Sequence, residues 1–446
     1  MKRKLLILCL ICTLVISVSF ILSGCSAGNK EGSKESASSD SAVELEMWTF
    51  VNAHADYYKK KAKEFNDLHP EFDFKLKTQT YPYDQMHDKL NIALQTGIGG
   101  PDISDIEIGK FPGIVANNKE GLVDLTSTVD KYRDEIVEAR VTPYSSNGRV
   151  YGIPTHLGTG VMYYNKELFE KAGVSPESIK TWEDFIKVGK KLTKDTNGDG
   201  KIDQWMTGVP TSDFMTFNVM SNQLGSNVFD KDENIILNRP ENVKVLKYMQ
   251  DLVHKYKIAN PIPLYDDQNV YRDLNDGKYA AVLAMPQWYM IRFTEFMPDL
   301  EGKVLVRGLP SWGNEGTRSS TGGGTGTAIM ATTEHQEIAK EFLEYAKLTK
   351  EAGVEMWTEL GFDPIRKDAY DNPKLYEPIP FFNNEKVMET ISELQSEIQP
   401  LYLSGLYAKA RDIINQEVLF NAIENNKDPK KLLDEATKEL KEEKAK

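Results

Sequence analysis

From residue 43 onward the chain switches repeatedly between two hydrophobic periods, and this constrains its fold more than any other feature. "VELEMWTF" (43–50) alternates apolar and polar residues, the period-two mark of a strand. The next segment places Tyr58, Ala62 and Phe65 on one helical face and ends near His69-Pro70. "FDFKLKT" alternates again. Asp84 to Thr96 then reads as a helix, with Met86, Leu90, Ala93 and Leu94 on its apolar side and Gly97 as its stop. "GGPDISDIEI" leads through a turn into another strand. Strands that alternate with helices need crossover connections, so the pattern predicts α/β units around a largely parallel sheet. No period of about 20 to 50 residues recurs, which argues against a repeat array.

The middle of the chain is richer in helix. "TWEDFIKVGKKLTK" (181–194) starts at Thr181, a good N-cap, with Asp184 three residues on as a capping-box partner. Trp182, Phe185, Ile186 and Leu192 fit its buried stripe. "ENVKVLKYMQDLVHKYK" (241–257), "HQEIAKEFLEYAKL" (335–348) and the charged stretch from Pro429 read as further amphipathic helices. The first of these helices runs into "KDTNGDGKIDQW" (194–205). Asp195, Asn197, Asp199 and Asp203 fall at positions 1, 3, 5 and 9 of an EF-hand-like loop, Gly200 at the turn and Lys201 at the carbonyl position. Position 12, where a bidentate Glu belongs, is Met206, and Pro210 follows too soon for a partner helix. That excludes a calcium switch. A structural cation clip and a plain polar turn both remain.

The N-terminus speaks about compartment. Lys2, Arg3 and Lys4 precede an uncharged apolar run from Leu5 to Leu22, and "LSGC" follows. A basic start, an apolar core and small residues before a cut describe a secretory signal over 1–24. The alternative is a retained membrane helix, since the run is just long enough to span. The cysteines favour cleavage: Cys9 and Cys12 fall inside the signal, which leaves Cys25 and no thiol to pair with it. Residues 25–42 are small and polar and predict a flexible tether. The full chain carries a net charge of −13, and loss of the signal takes it to about −16. An acidic chain without a basic block does not match nucleic acid. The chain also holds 20 Tyr and 6 Trp, 10% aromatic with Phe, enough for stacking surfaces as well as for a core.

Several segments, in order, resemble one family. They are the "LSGC" lipobox, "WTF" on the first strand, "LNIALQTGIGGPDI", "NGRVYGIP" (147–154), "MYYNKELFEKAGV" (162–174), "TWEDF", "AMPQWY" (284–289), "STGGGTG" (320–326) and "IAKEFLEYAKL". Together they resemble the family 1 extracellular solute-binding proteins of ABC sugar importers, over about residues 43–370. "YPYDQMHDKL", "VEARVTPYS", "GIPTHLGTGVMYYN", "YMIRFTEFMPDL" and "LGFDPIR" are similar to the arabinose-oligosaccharide-binding lipoproteins of Gram-positive bacteria. The resemblance implies a two-lobe periplasmic-binding-protein-like fold of type II with the ligand cleft between lobes. It places 43–157 and 310–349 in the N-terminal lobe and 158–309 and 350–446 in the C-terminal lobe. It implies a monomer, acylated on Cys25 and held at the outer face of the cell membrane by that lipid alone. There it captures an oligosaccharide and delivers it to ABC permease subunits. A sugar-sensing lipoprotein for a membrane kinase would share the site and differ only in partner. Related proteins with a loop like 195–204 bind calcium there, so the resemblance implies a structural Ca²⁺. Its ligands would be Asp195, Asn197, Asp199, Asp203, the Lys201 carbonyl and Gln204.

A sugar ring has an apolar face and a rim of hydroxyls, so it calls for an aromatic platform with a few placed polar groups. Trp48 and Phe50 end the first strand, with Asn52 and His54 in the loop after it. Glu107 ends "PDISDIEI", and His156 follows "GIPT" at the expected crossing between lobes. The family commonly offers a platform at Trp288 and Tyr289. Trp312 sits in a glycine-rich loop. "TGGGTG" has neither Rossmann nor P-loop spacing. Its Gly323 and Gly324 instead permit close backbone approach. Trp357, Asp363 and Arg366 are expected at the rim. There is no H-E-x-x-H, and no G-x-S-x-G from residue 43 onward. A glycoside hydrolase stays open as the enzyme alternative, since its carboxylates pair in space rather than in sequence.

Overall fold

The computed structural model describes residues 42–446, so the signal, Cys25 and nearly all of the tether lie outside the described residues. In chain order the strands are β1 (Val43–Thr49), β2 (Phe74–Thr80), β3 (Ile103–Glu107), β4 (Ser145–Ser146), β5 (Arg149–Val150), β6 (Ile153–Pro154), β7 (Gly160–Asn165), β8 (Trp205–Pro210), β9 (Ala259–Ile262), β10 (Tyr279–Pro286), β11 (Val304–Gly308) and β12 (Thr325–Ile329). They form two five-stranded sheets, in the orders β2-β1-β3-β12-β6 and β11-β7-β10-β8-β9, and a small β4-β5 hairpin. β1 runs parallel to β2 in register from Val43–Phe74 to Thr49–Thr80, and parallel to β3. β12 is antiparallel to β3 and β6, and β7 is antiparallel to β10 and β11. The sheets are therefore mixed rather than largely parallel.

Local rules account for the elements. In β1, Val43, Leu45 and Met47 are buried while Glu44 and Glu46 are exposed, so the alternation read from sequence is the observed phase. The helix Asn52–Leu68 starts earlier than the sequence suggests and takes in both Asn52 and His54. It buries Tyr58, Ala62 and Phe65, and Phe65 meets Phe74 and Phe342 edge-on. The helix Trp182–Leu192 opens on a complete capping box: Thr181 Oγ1 accepts from Asp184 N, and Asp184 Oδ2 accepts from Thr181 N, both at 3.1 Å. Such a cap contributes about 1 kcal/mol.

Three segments cross between the sheets: 155–159 joins β6 to β7, 309–324 joins β11 to β12, and 361–366 returns after the helix Lys350–Leu360. They are tied together. Gly160 N donates to Ser320 O (2.8 Å) and Gly322 N to Gly158 O (2.9 Å). Asp363 accepts from the backbone amides of Leu157, Gly158 and Thr159, all at 3.0 Å, and from Thr159 Oγ1. The packing also departs from the expected lobe boundaries. Trp312, placed by sequence in the first lobe, packs on Trp182 and Tyr248 of the second. Helix Lys350–Leu360 gives Met356 and Leu360 to the first core and Val354 and Trp357 to the second.

Candidate functional site

The carboxyl ends of β1, β3, β8, β9 and β10 converge on one cavity of about 420 Å³. Phe50 and Val51 follow β1, Glu107 ends β3, Asp213 and Met215 follow β8, and Leu264 and Asp266 follow β9. β12, running the other way, brings Gly323, Gly324 and Thr325 to the same place from its amino end. This is where open α/β sheets hold ligands. A break in the β10 register between Val282 and Met285, with Ala284 at φ 47°, re-aims Met285 at the cavity wall.

Each wall carries a polar cluster. On one side Tyr83 OH donates to Glu107 Oε2 (2.8 Å), and Gly109 N donates to the same oxygen (2.9 Å). Arg411 Nη1 donates to Tyr83 OH (2.8 Å) and lies 3.5 Å from Glu107 Oε2, so a second-lobe guanidinium closes onto first-lobe groups. Burial and the Glu107 charge push the Tyr83 hydroxyl up, which keeps it a donor. On the other side Arg292 Nε sits 2.9 Å from Asp266 Oδ1. Asp213 caps the helix Phe214–Gln223 by accepting from Met215 N (3.0 Å). Burial, helped by the Asp266 charge, raises the Asp213 carboxyl above the usual carboxylate range.

The floor is aromatic. The His156 and Phe362 rings lie 4.5 Å apart, and Phe362 meets His54 edge-on at 5.3 Å. His54 Nδ1 is 3.0 Å from Asp105 Oδ2, which also accepts from Thr49 Oγ1 (2.9 Å). Burial raises Asp105, but the His54 bond, with Lys347 and Thr327, holds it below its ordinary value. His156 is only 3% exposed, and neither ring nitrogen has a hydrogen-bond partner among the described residues. Burial and the nearby Arg140 hold its pKa well down, so the ring is neutral, with both nitrogens enclosed. Trp288 is half-buried, and its Nε1 donates to Gly322 O (3.1 Å), which fixes the indole against the cavity. Gly324 has φ 135°, and a Cβ there would overlap the Arg140 guanidinium, so the close backbone approach requires glycine.

Of the residues chosen from sequence, Phe50, His54, Glu107, His156, Trp288, Gly323 and Gly324 line this cavity. The others do not. Trp48 is buried on the far face of β1, where Nε1 donates to Glu46 Oε1 (2.7 Å) and the ring meets Tyr81. Asn52 is exposed at the start of its helix. Tyr289 is fully buried and donates to Tyr265 O (2.8 Å), because the tight turn Gln287–Tyr289 sends neighbouring side chains in different directions. Trp312 donates to Gln223 Oε1 (2.8 Å) beneath Lys244. Trp357 is buried in the second core. Asp363 ties the crossings, and Arg366 binds Leu348 O and Asp368 while stacking on Tyr132. Sequence reasoning missed Tyr83, Asp213, Asp266, Arg292 and Arg411. Each lies beyond a strand end or arrives from a distant helix, and no local motif marks it.

The loop 195–204 lies apart from the cavity and is followed by strand β8, not by a helix. Asp195 accepts from the amides of Asn197, Gly198 and Gly200, Asn197 from Asp199, and Asp203 from Thr196. Gln204 is buried, its Nε2 donating to Leu192 O (2.7 Å). Among the described residues no three His, Cys, Asp or Glu side chains converge on a metal position.

Two lobes of sheet and helix around a cavity at their strand ends define a binding protein, and sequence comparison agrees. Residues 52–353 match the family described as bacterial extracellular solute-binding protein, and the chain belongs to it. It is 41% identical over 440 residues to the arabinooligosaccharide-binding protein of Bacillus subtilis (strain 168), covering 97% of this chain and 99% of that one. It is 42% identical over 369 residues to the protein of the same name from Halalkalibacterium halodurans, covering 82% and 81%. The fold is shared with the ABC transporter associated binding protein of B. animalis subsp. lactis Bl-04, solved with β-1,6-galactobiose. That match has a TM-score of 0.74 at 21% identity over 90% of this chain and 97% of that one. It is also shared with maltose-bound T. maritima MalE3, with a TM-score of 0.71 at 22% identity over 90% and 99%.

Proposed function

We propose that the cavity captures a neutral oligosaccharide, an arabino-oligosaccharide, for delivery to the membrane subunits of an ABC importer. One observation carries this reading: the half-buried Trp288 lines the cavity together with polar side chains from both walls, Glu107, Asp213, Asp266, Arg292 and Arg411. Donors and acceptors beside an aromatic face match the hydroxyl rim and apolar face of a sugar ring. The charges agree with an uncharged ligand. Three carboxylates, Glu107, Asp213 and Asp266, face two guanidiniums, Arg292 and Arg411, and leave no excess positive charge for a phosphate. Relatives at 23% identity are named for sn-glycerol 3-phosphate, so that compound is the natural competitor. The names of the relatives above 40% identity support the arabinose form.

Calorimetry with arabino-, xylo-, galacto- and malto-oligosaccharides and sn-glycerol 3-phosphate tests the reading. Arabino-oligosaccharides should bind tightest; preference for the phosphate would replace it. Asp213, raised, and Asp266, paired with Arg292, resemble an acid with a carboxylate partner. Asp266 is, however, already engaged by Arg292 and Tyr271. Long incubation with the tightest ligand should release no shorter sugar, and enzyme-dependent release would make the protein a hydrolase. The location proposed for this role is the outer membrane face of the cell, through a lipid on Cys25.

A structural Ca²⁺ in the loop belongs to the same proposal. Asp195, Asn197, Asp199, Asp203 and the Lys201 carbonyl are hard oxygen donors suited to that cation. A carboxylate oxygen that accepts one amide keeps a second lone pair. A cation held only by the folded state raises the melting temperature with its concentration. Millimolar calcium should therefore raise it above the value in EDTA, and Asp195→Ala or Asp199→Ala should abolish the rise. An unchanged melting temperature in the parent would mean that the loop is only a turn.

A further inference from the structure

The cavity is closed at Arg411 and adjoins a second groove at Ile291. At the closed end Arg411 reaches Tyr83 and Glu107, and the Tyr407 ring lies so close to Gly109 that a Cβ there would come within 2.8 Å of it. Ile291 borders the cavity and also a second groove of about 320 Å³. The backbone makes the same passage: Phe362 faces the cavity, while its neighbours Leu360 and Gly361 line the groove. The groove has banks from both cores, with Leu360 from the first and Trp357 and Phe382 from the second. Exposed Thr294, Thr358, Glu359, Lys374 and Glu377 supply hydrogen-bonding groups beside apolar Met290 and Ile379.

We propose that this groove is an extension of the binding site. It takes the further rings of a neutral oligosaccharide whose first rings fill the cavity, and the chain passes over Ile291. The inference rests on the oligosaccharide reading above. Apolar surface with scattered donors and acceptors is the same chemistry as the cavity, and continuity past Ile291 gives a single occupant. Ile291 and the groove then set preferred chain length, while the cavity sets sugar type.

The test is calorimetric titration with arabino-oligosaccharides from the disaccharide to the hexasaccharide. It uses the full mature protein and two variants that fill the groove from opposite banks, Thr294→Trp and Thr358→Trp. The readout is the ratio of hexasaccharide to disaccharide affinity, which is insensitive to a general loss of active protein. For the parent the ratio should be at least about tenfold, equivalent to about 1.4 kcal/mol. In both variants it should fall toward one. Affinity independent of length in the parent, or a ratio that neither tryptophan changes, would overturn the extension while leaving the cavity reading intact. If no chain of any length binds, the oligosaccharide reading fails and the extension with it.

Discussion

Asp363→Ala is expected to destabilise the protein by roughly 3 kcal/mol or more, the cost of leaving several buried donors unpaired. The carboxylate is fully buried and accepts from three consecutive amides, Leu157, Gly158 and Thr159, as well as from Thr159 Oγ1 and Gln287 Nε2. Those amides belong to the first crossing between lobes, and Asp363 belongs to the third. An alanine removes every acceptor at once, and the site is too tightly enclosed for the amides to find solvent. Asp363→Asn should lose less, because its carbonyl still accepts while its amide group faces donors. Denaturation should rank the proteins parent, Asn, Ala. The melting temperature should fall by several degrees, since 1 kcal/mol moves it by roughly 2–4 °C in chains of 150–250 residues and by less in a longer chain. A variant as stable as the parent would show that Asp363 does not hold the crossings.

Trp288→Ala should weaken oligosaccharide binding by about tenfold or more, because a lost stacking face costs on the order of 1 kcal/mol beyond the contact area. Trp288 is half-buried, and its ring is held by Gly322 O rather than enclosed by core. The loss should therefore appear in affinity more than in stability. Tyr289→Ala is the internal contrast. Its ring is fully buried against Tyr163, Tyr265 and Phe293, so the change should cost about 3–5 kcal/mol of stability. Equal affinity of parent and Trp288→Ala, measured on folded protein, would remove Trp288 from the site.

The contrast between these neighbours shows where sequence reasoning runs out. Both are aromatic in "MPQWYM", and nothing local says which side chain of a single tight turn faces the cavity. Trp48 failed for a different reason. It shares a strand face with Glu44 and Glu46, and Tyr81 covers that face, so only Phe50, beyond the strand end, reaches the cavity. Nothing local distinguishes Asp363 and Arg366 from rim residues. Here the charge answers buried backbone groups. By contrast the strand and helix phases, the Thr181 capping box and the glycine turn at 323–324 were legible, because each is dictated by spacing alone. The Arg411–Tyr83–Glu107 cluster was not, since its members lie up to 328 positions apart and meet only when the lobes fold together.

The most direct test of the account is a crystal structure of the protein grown with an arabino-oligosaccharide. The account predicts sugar rings in the cavity, one apolar face against Trp288 and hydroxyls within hydrogen-bond distance of Glu107, Asp266 or Arg292. A sugar bound elsewhere on the molecule, or a cavity occupied without contact to Trp288 or to any of those polar groups, would contradict it.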